Sequence, residues 1–289
     1  MNQDDPIGWL TSNCPVFISL LNQKAKINLP SGIIDYIGKG SEGEIKNGKI
    51  NFLTVESFLS ELINYSSEKE VGNSYRRDLS KVSTEKALSE IFCEIALCVK
   101  IGSYSGSIIL HPKTGKGSHS DCKFFINGSE VYGEVKRYQD SWPHIVKIGE
   151  KDNSKIPFGR SIFKSEADNK PSAVARPRHM DIQSKLEDVH EQFPDDKRNI
   201  LFVFLPSLGE PRDYLVQTLL GQNNFKREEK DFALEKDGLF AKKTWEIISA
   251  CCLTRANLKS KKIFFPVVLK NPNANMPIED EIIEKLKSA

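Results

Sequence analysis

Asn127-Gly128 constrains this chain more than any other pair of residues in it. A two-residue type I′ turn needs positive φ at both central positions, and Asn-Gly supplies that at little steric cost. The turn sets a register. Ile126 pairs with Ser129, Phe125 with Glu130, Phe124 with Val131 and, at the open end, Asp121 with Glu134. Opposed side chains in an antiparallel pair lie about 4.5–5.5 Å apart at Cβ, and the period of two along a strand brings Lys136 to the face of Glu134. One face of the hairpin therefore carries Asp121, Glu134 and Lys136, while Phe124, Ile126, Val131 and Val135 form an apolar face suited to a core.

Like charges directly opposed in a sheet destabilise it. A divalent cation is the simplest reason to keep Asp121 against Glu134. Hard ions such as Mg²⁺ take carboxylate oxygens and waters and favour phosphate-bearing substrates over closed protein cages. A neighbouring ammonium can orient an attacking water or offset charge that develops on a phosphate.

Asp121 followed by Glu134-Val135-Lys136 resembles the PD-(D/E)XK motif of restriction-endonuclease-like nucleases. The likeness covers residues 84–138 well and the remainder only in element order. It implies an α/β fold with a central mixed sheet in the order α-β-β-β-α-β, carrying an N-terminal extension and C-terminal additions. It also implies hydrolysis of phosphodiester bonds with Mg²⁺ or Mn²⁺. Asp121, Glu134, the carbonyl of Val135 and a glutamate of the preceding helix would hold the ion, and Lys136 would position the water. Double-stranded DNA is the implied substrate and a restriction-type endonuclease the first reading, with junction resolution, repair and anti-phage defence in the same class. Cutting both strands of a duplex suits a two-fold homodimer. Ser120 stands where the family often has Pro. The rival from another class is a nucleic-acid-binding protein that keeps the fold without catalysis.

The helix in question spans 84–99, where Ala87, Leu88, Ile91, Phe92, Ile95 and Val99 recur at helical spacing, with Gly102 ending it. It offers two acids one turn apart. Glu94 lies nearer the apolar stripe and Glu90 about 40° further towards solvent. Glu90 is preferred because its distance to Gly102, followed by Ser105-Gly106, is similar to the layout of archaeal Holliday-junction resolvases; Glu94 stays as the alternative. Residues 107–111 read as a short strand, and the loop after it offers Lys113 and Lys116 to a phosphate backbone. His119 shares the Asp121 face if the strand begins that early, and no second His stands at zinc spacing.

Composition bounds the rest. The chain has 289 residues, 39% apolar and 28% charged, enough for one large domain or two smaller ones. No run approaches the ~18 apolar residues of a membrane span, and the start MNQDDPIGWL lacks a basic n-region, so a cytoplasmic protein without a membrane partner is expected. The six Cys show no zinc spacing and read as free thiols. A net charge of +2 leaves any basic surface to local clustering.

The domain plan is an N-terminal piece at 1–80 and a main domain at 81–289 with a long insertion at 139–179. The N-terminal piece includes a helix at 54–65. It also holds a second D…ExK match, Asp35 with Glu44-Ile45-Lys46, which fails because a polar, glycine-rich segment follows Asp35 instead of a strand. Beyond the insertion, 180–193 reads as a helix and 199–206 as a strand buried on both faces. Helices follow at 211–220 and 244–253, then a strand at 263–269 whose Pro266 suits an edge, and a last helix from Pro277.

The insertion is a candidate contact with substrate. Trp142 and Phe158 could stack on bases, and its end carries Lys170, Arg176, Arg178 and His179 with no acid between them. If Arg176 and Arg178 neutralise phosphates, changing both to Ala flattens the slope of log affinity against log salt by about two units on duplex DNA. Titrations in Ca²⁺ at several salt concentrations measure this, and an unchanged slope would turn the insertion away from the substrate.

Overall fold

The computed structural model describes residues 6–21, 52–79, 85–115, 117–138, 162–164, 171–174, 178–205, 211–225, 227–257 and 262–288. The chain divides into two compact units. The first comprises residues 1–137, 191–204 and 247–289, and the second residues 138–190 and 205–246. The N-terminal helices and the hairpin both fall in the first unit.

The first unit is built on a six-stranded mixed sheet in the order β1-β2-β3-β6-β7-β8. Its strands are β1 (Ile108–Leu110), β2 (Cys122–Ile126), β3 (Ser129–Arg137), β6 (Arg198–Phe204), β7 (Ala250–Asn257) and β8 (Lys262–Lys270). β1, β2 and β3 form an antiparallel meander, β3-β6 and β6-β7 are parallel, and β8 returns antiparallel to β7. The hairpin register is the one the turn dictates: Ile126 faces Ser129, Phe125 faces Glu130 and Phe124 faces Val131. Asn127 and Gly128 both have positive φ, at 51° and 79°.

Among the described residues five helices precede the sheet: α1 (Pro6–Asn13), α2 (Pro15–Leu21), α3 (Phe52–Tyr65), α4 (Glu68–Leu79) and α5 (Glu85–Ser105). A sixth, α8 (Asp280–Lys287), follows it and starts three residues after Pro277. Their apolar sides share one core with Phe124, Val131, Ile200, Phe202, Cys252 and Phe265 of the strands. Leu201, Val203, Cys251 and Leu253, which alternate with that set, are buried as well. Two-sided burial explains why β6 reads as a continuous apolar run.

The same burial accounts for the helix expected at 244–253, which is a short 3₁₀ turn, Lys243–Trp245, followed by β7. A short apolar run has no periodicity to tell a buried helix from a buried strand, and pairing with β6 and β8 decides it. Pro266 sits in β8, an edge strand of the sheet, as expected. The six cysteines are free and buried. Among the described residues no helix is long and apolar enough to cross a membrane.

Two carboxylates tie helices to neighbours. Glu56 of α3 accepts the backbone N–H groups of Val16 and Phe17, both at 2.8 Å, and so satisfies the first turn of α2. Glu70 of α4 accepts the N–H of Leu110 in β1 at 2.9 Å. Gly102 does not end its helix. α5 runs on to Ser105 and is closed by Gly106 at φ +74°, whose N–H reaches the Gly102 carbonyl at 2.8 Å. Gly102 serves packing instead, because a Cβ there would fall 2.5 Å from Cγ of Tyr65 on α3.

The second unit contains the antiparallel pair β4 (Ile162–Lys164) and β5 (Pro171–Val174), then α6 (Arg178–Leu186) and α7 (Pro211–Leu220). The insertion expected to be irregular thus holds a short β pair. The helix expected at 180–193 becomes 3₁₀ from Glu187 onwards. Thr218 of α7 donates to the carbonyl of His179 at 3.1 Å, and the Trp245 indole donates to that of Glu187 at 3.2 Å.

Replacing Gly102 by Ala forces α3 and α5 apart and is expected to cost about 1–3 kcal/mol of stability, as overpacking does. Urea denaturation of the variant checks this, and a wild-type midpoint would show that Tyr65 gives way freely.

Candidate functional site

The ladder between β2 and β3 ends at Cys122 opposite Gly133, one step short of the acidic pair. Beyond that point side chains take over the amides the ladder leaves behind. The Asp121 N–H donates to Glu134 Oε2 at 3.2 Å, and the Val135 N–H donates to Asp121 Oδ2 at 2.7 Å. Lys136 Nζ donates to Glu134 Oε1 at 2.7 Å. The three residues expected to share a face are therefore joined in one chain of hydrogen bonds.

Two further side chains close on this pair. Glu94 of α5 and His111, just past β1, meet at 2.6 Å between Oε1 and Nε2. His111 turns off the sheet with φ 46°, an uncommon conformation for a residue with a side chain, and its N–H donates to the Asp121 carbonyl at 3.0 Å. Its ring lies edge-on to Tyr75 of α4, 5.4 Å between centroids. Glu94, His111 and Asp121 each offer a ligand atom, and these atoms all lie within 4.8 Å of one another. Such a set of two carboxylates and an imidazole can hold a divalent cation.

The loop that carries Asp121 is pinned from behind. Ser118 and Ser120 donate their hydroxyls to the carbonyls of Glu191 and Gln192, at 3.0 and 2.8 Å. The Ser120 N–H also donates to the Pro112 carbonyl at 3.2 Å, a bond that a proline at 120 could not make.

Burial and like charge dominate the electrostatics. Glu134 is only 1% exposed, and burial lifts its carboxyl above the ordinary range; Lys136 pulls it down and Glu94 pushes it up. Asp121 keeps some surface, yet its crowded surroundings, then Glu94 and Glu134, raise its carboxyl well above the usual value against the Val135 N–H and Lys136. Burial of His111 favours the neutral ring, but the Glu94 bond and the charges of Glu94, Asp78 and Glu134 outweigh it, and the net shift is upward.

The expected residues separate clearly. Asp121, Glu134, Lys136 and Glu94 come together, while Glu90 is exposed on α5 and stands outside the group. Val135 enters through its N–H. Lys113 is exposed and bridges His119, whose Nδ1 lies 3.0 Å from the His111 carbonyl. Arg178 opens α6; Lys116 and Arg176, like the Asp35 match, lie outside the described residues. His111 was not anticipated. Its signal is the register of β1 on β2, with Leu110 facing Cys122, which continues to His111 beside Asp121.

No protein-family model matches this chain, and comparison with curated proteins and with solved structures finds no match. The arrangement of the residues themselves therefore carries the functional argument.

Because the Asp121 and Glu134 carboxyls are raised in the folded chain, they favour folding below the ordinary carboxylate range, and that contribution is lost as pH rises through their raised values. The metal-free protein is expected to lose melting temperature as pH rises above the ordinary carboxylate range, and Asp121→Asn to melt higher than wild type at the upper end of that rise. Mn²⁺ should raise the melting temperature of wild type and not that of the variant. A metal-free variant that melts lower than wild type at the upper pH would contradict the crowding.

Proposed function

We propose that this chain is a metal-dependent nuclease of the PD-(D/E)XK type, acting on DNA as an endonuclease of the restriction kind. The observation that carries the reading is the hydrogen-bonded group at the end of the hairpin, where Asp121, Glu134 and Lys136 meet Glu94 of the preceding helix. Three enclosed carboxylates against one ammonium is an arrangement that a bound cation relieves. The element order α5-β1-β2-β3, then the inserted pair β4-β5, then α6 and β6, supports the same reading, as does the mixed sheet with its β1-β2-β3 meander beside parallel β6. Ser120, the departure from the family pattern, keeps Asp121 in place by its own hydrogen bonds.

In this reading Glu94, His111 and Asp121 would hold the ion, and Glu134 accepts the Asp121 N–H beside them. The imidazole nitrogen softens an otherwise all-oxygen set and favours Mn²⁺ over Mg²⁺. When bound, the ion supplies Lewis acidity to a phosphoryl oxygen and a water of lowered pKa. Lys136, held by Glu134 at 2.7 Å, orients that water and offsets charge on the phosphate. Asp121 and Glu134, which retain protons more readily than ordinary carboxyls in the metal-free protein, release them as the cation binds, so affinity for it rises with pH.

Plasmid, linear and single-stranded DNA and RNA, each incubated with Mg²⁺, Mn²⁺ or EDTA, test the activity. Cleavage is expected with either metal, faster with Mn²⁺, and none with EDTA. Asp121→Ala, Glu134→Ala and Lys136→Ala should each lose about a hundredfold or more in rate. Glu94→Gln should fall strongly and Glu90→Gln little. Wild-type cleavage by Asp121→Ala or Glu134→Ala would remove the assignment, and equal rates for the two helix variants would remove Glu94 from the site.

A further inference from the structure

The strands that carry the acidic group also present a face that the proposed chemistry leaves unused. On β2 the residues alternating with the core set are Lys123 and Phe125, two and four positions from Asp121; on β3 they are Tyr132 and Glu130, two and four from Glu134. Phe125 is 43% exposed, and Ile109 on β1, which pairs with Lys123, is 40% exposed. Their neighbours Phe124 and Ile108 on the opposite face are buried in the core. Exposed apolar side chains on this face are thus a local departure from a well-buried sheet.

The patch is charged as well as apolar. Lys123 Nζ lies 6.0 Å from the ring centroid of Phe125 and 5.8 Å from that of Tyr132. Its partner Glu130, at 3.1 Å, is shared with Lys197 at 3.0 Å, and Asp196 also acts on Lys197, so two ammonium groups stand with two carboxylates. An exposed aromatic ring flanked by two ammonium groups fits a flat π-system that carries phosphate. Stable protein interfaces bury ~800 Å² per partner, far more than two half-exposed side chains offer, so the patch is too small for a protein partner of that kind.

We propose that this face holds a single-stranded stretch of nucleic acid, with one base stacked on Phe125 and the adjoining backbone beside Lys123 and Lys197. The proposal takes its ligand class from the nuclease reading and narrows it to an unpaired strand, since a base inside a duplex has no free face to stack. Phe125 is four residues of extended strand from Asp121, about 13 Å. The stacked base therefore lies about 13 Å along the strand from Asp121, and its stacking tolerates any base.

The test is fluorescence anisotropy of a labelled single-stranded oligonucleotide and of its blunt duplex in Ca²⁺, with cleavage by wild type in Mn²⁺ followed in parallel. Phe125→Ala is expected to weaken single-strand binding about tenfold and duplex binding little, and Phe125→Trp to restore it. Phe125 is exposed, so the variants should fold, and their melting curves verify it. Unchanged single-strand affinity in a folded Phe125→Ala overturns the platform even if wild type cleaves. Single-strand binding lost in Phe125→Ala, with no cleavage by wild type under any metal, sustains the platform and overturns the nuclease. Wild type that elutes as a dimer which Phe125→Ala converts to monomer reassigns the patch to self-association.

Discussion

Three carboxylates, Glu94, Asp121 and Glu134, converge where the β2-β3 ladder stops, and among the described residues Lys136 and His111 offset them. Each acid of the hairpin accepts a backbone N–H that strand pairing leaves over, so the charges are held by the main chain as well as by each other. Raised carboxyls record the cost of that convergence in a partly desolvated corner. A corner of this kind is unfavourable for folding and favourable for binding a cation, which is the usual signature of a functional site.

The rest of the first unit keeps these side chains from relaxing apart. Parallel pairing with β6 runs from Val131 to Arg137 and holds Glu134 and Lys136 in register. Ser118 and Ser120 fasten the loop before Asp121 to the chain just ahead of β6. α5 meets α3 closely at Gly102 and Tyr65. Positive φ at His111 then aims its ring at Glu94. Packing far from the acids thus fixes distances within the group, as preorganised electrostatics requires.

The hairpin divides its labour by face. One face joins the core through Cys122, Phe124, Ile126 and Val131. The other runs from the acidic group to the exposed ring of Phe125, with Lys123 and Tyr132 between. Alternation along an extended chain therefore gives the same nine-residue strand, β3, a core face and a face that carries the acidic group.

Much of the site was legible before any coordinates because its rules are local. Asn127-Gly128 dictates a turn, the turn dictates a register, and the register brings Asp121 to Glu134 and Lys136. The amphipathic period of α5 and the apolar run of β6 are local in the same sense. What tertiary structure alone decided are choices between locally equivalent options. Helical periodicity already turns Glu94 nearer the apolar stripe and Glu90 towards solvent, but only the way α5 packs brings Glu94 to His111. Cys251-Cys252 suits a helix or a strand until β6 and β8 supply the missing hydrogen bonds on either side. His111 reaches Asp121 because a ten-residue interval closes on itself through the β1-β2 pairing, and no turn rule spans an interval of about that length. Sequence encodes periodicity and turn chemistry directly, whereas contacts between distant segments depend on the free energy of the whole packed core.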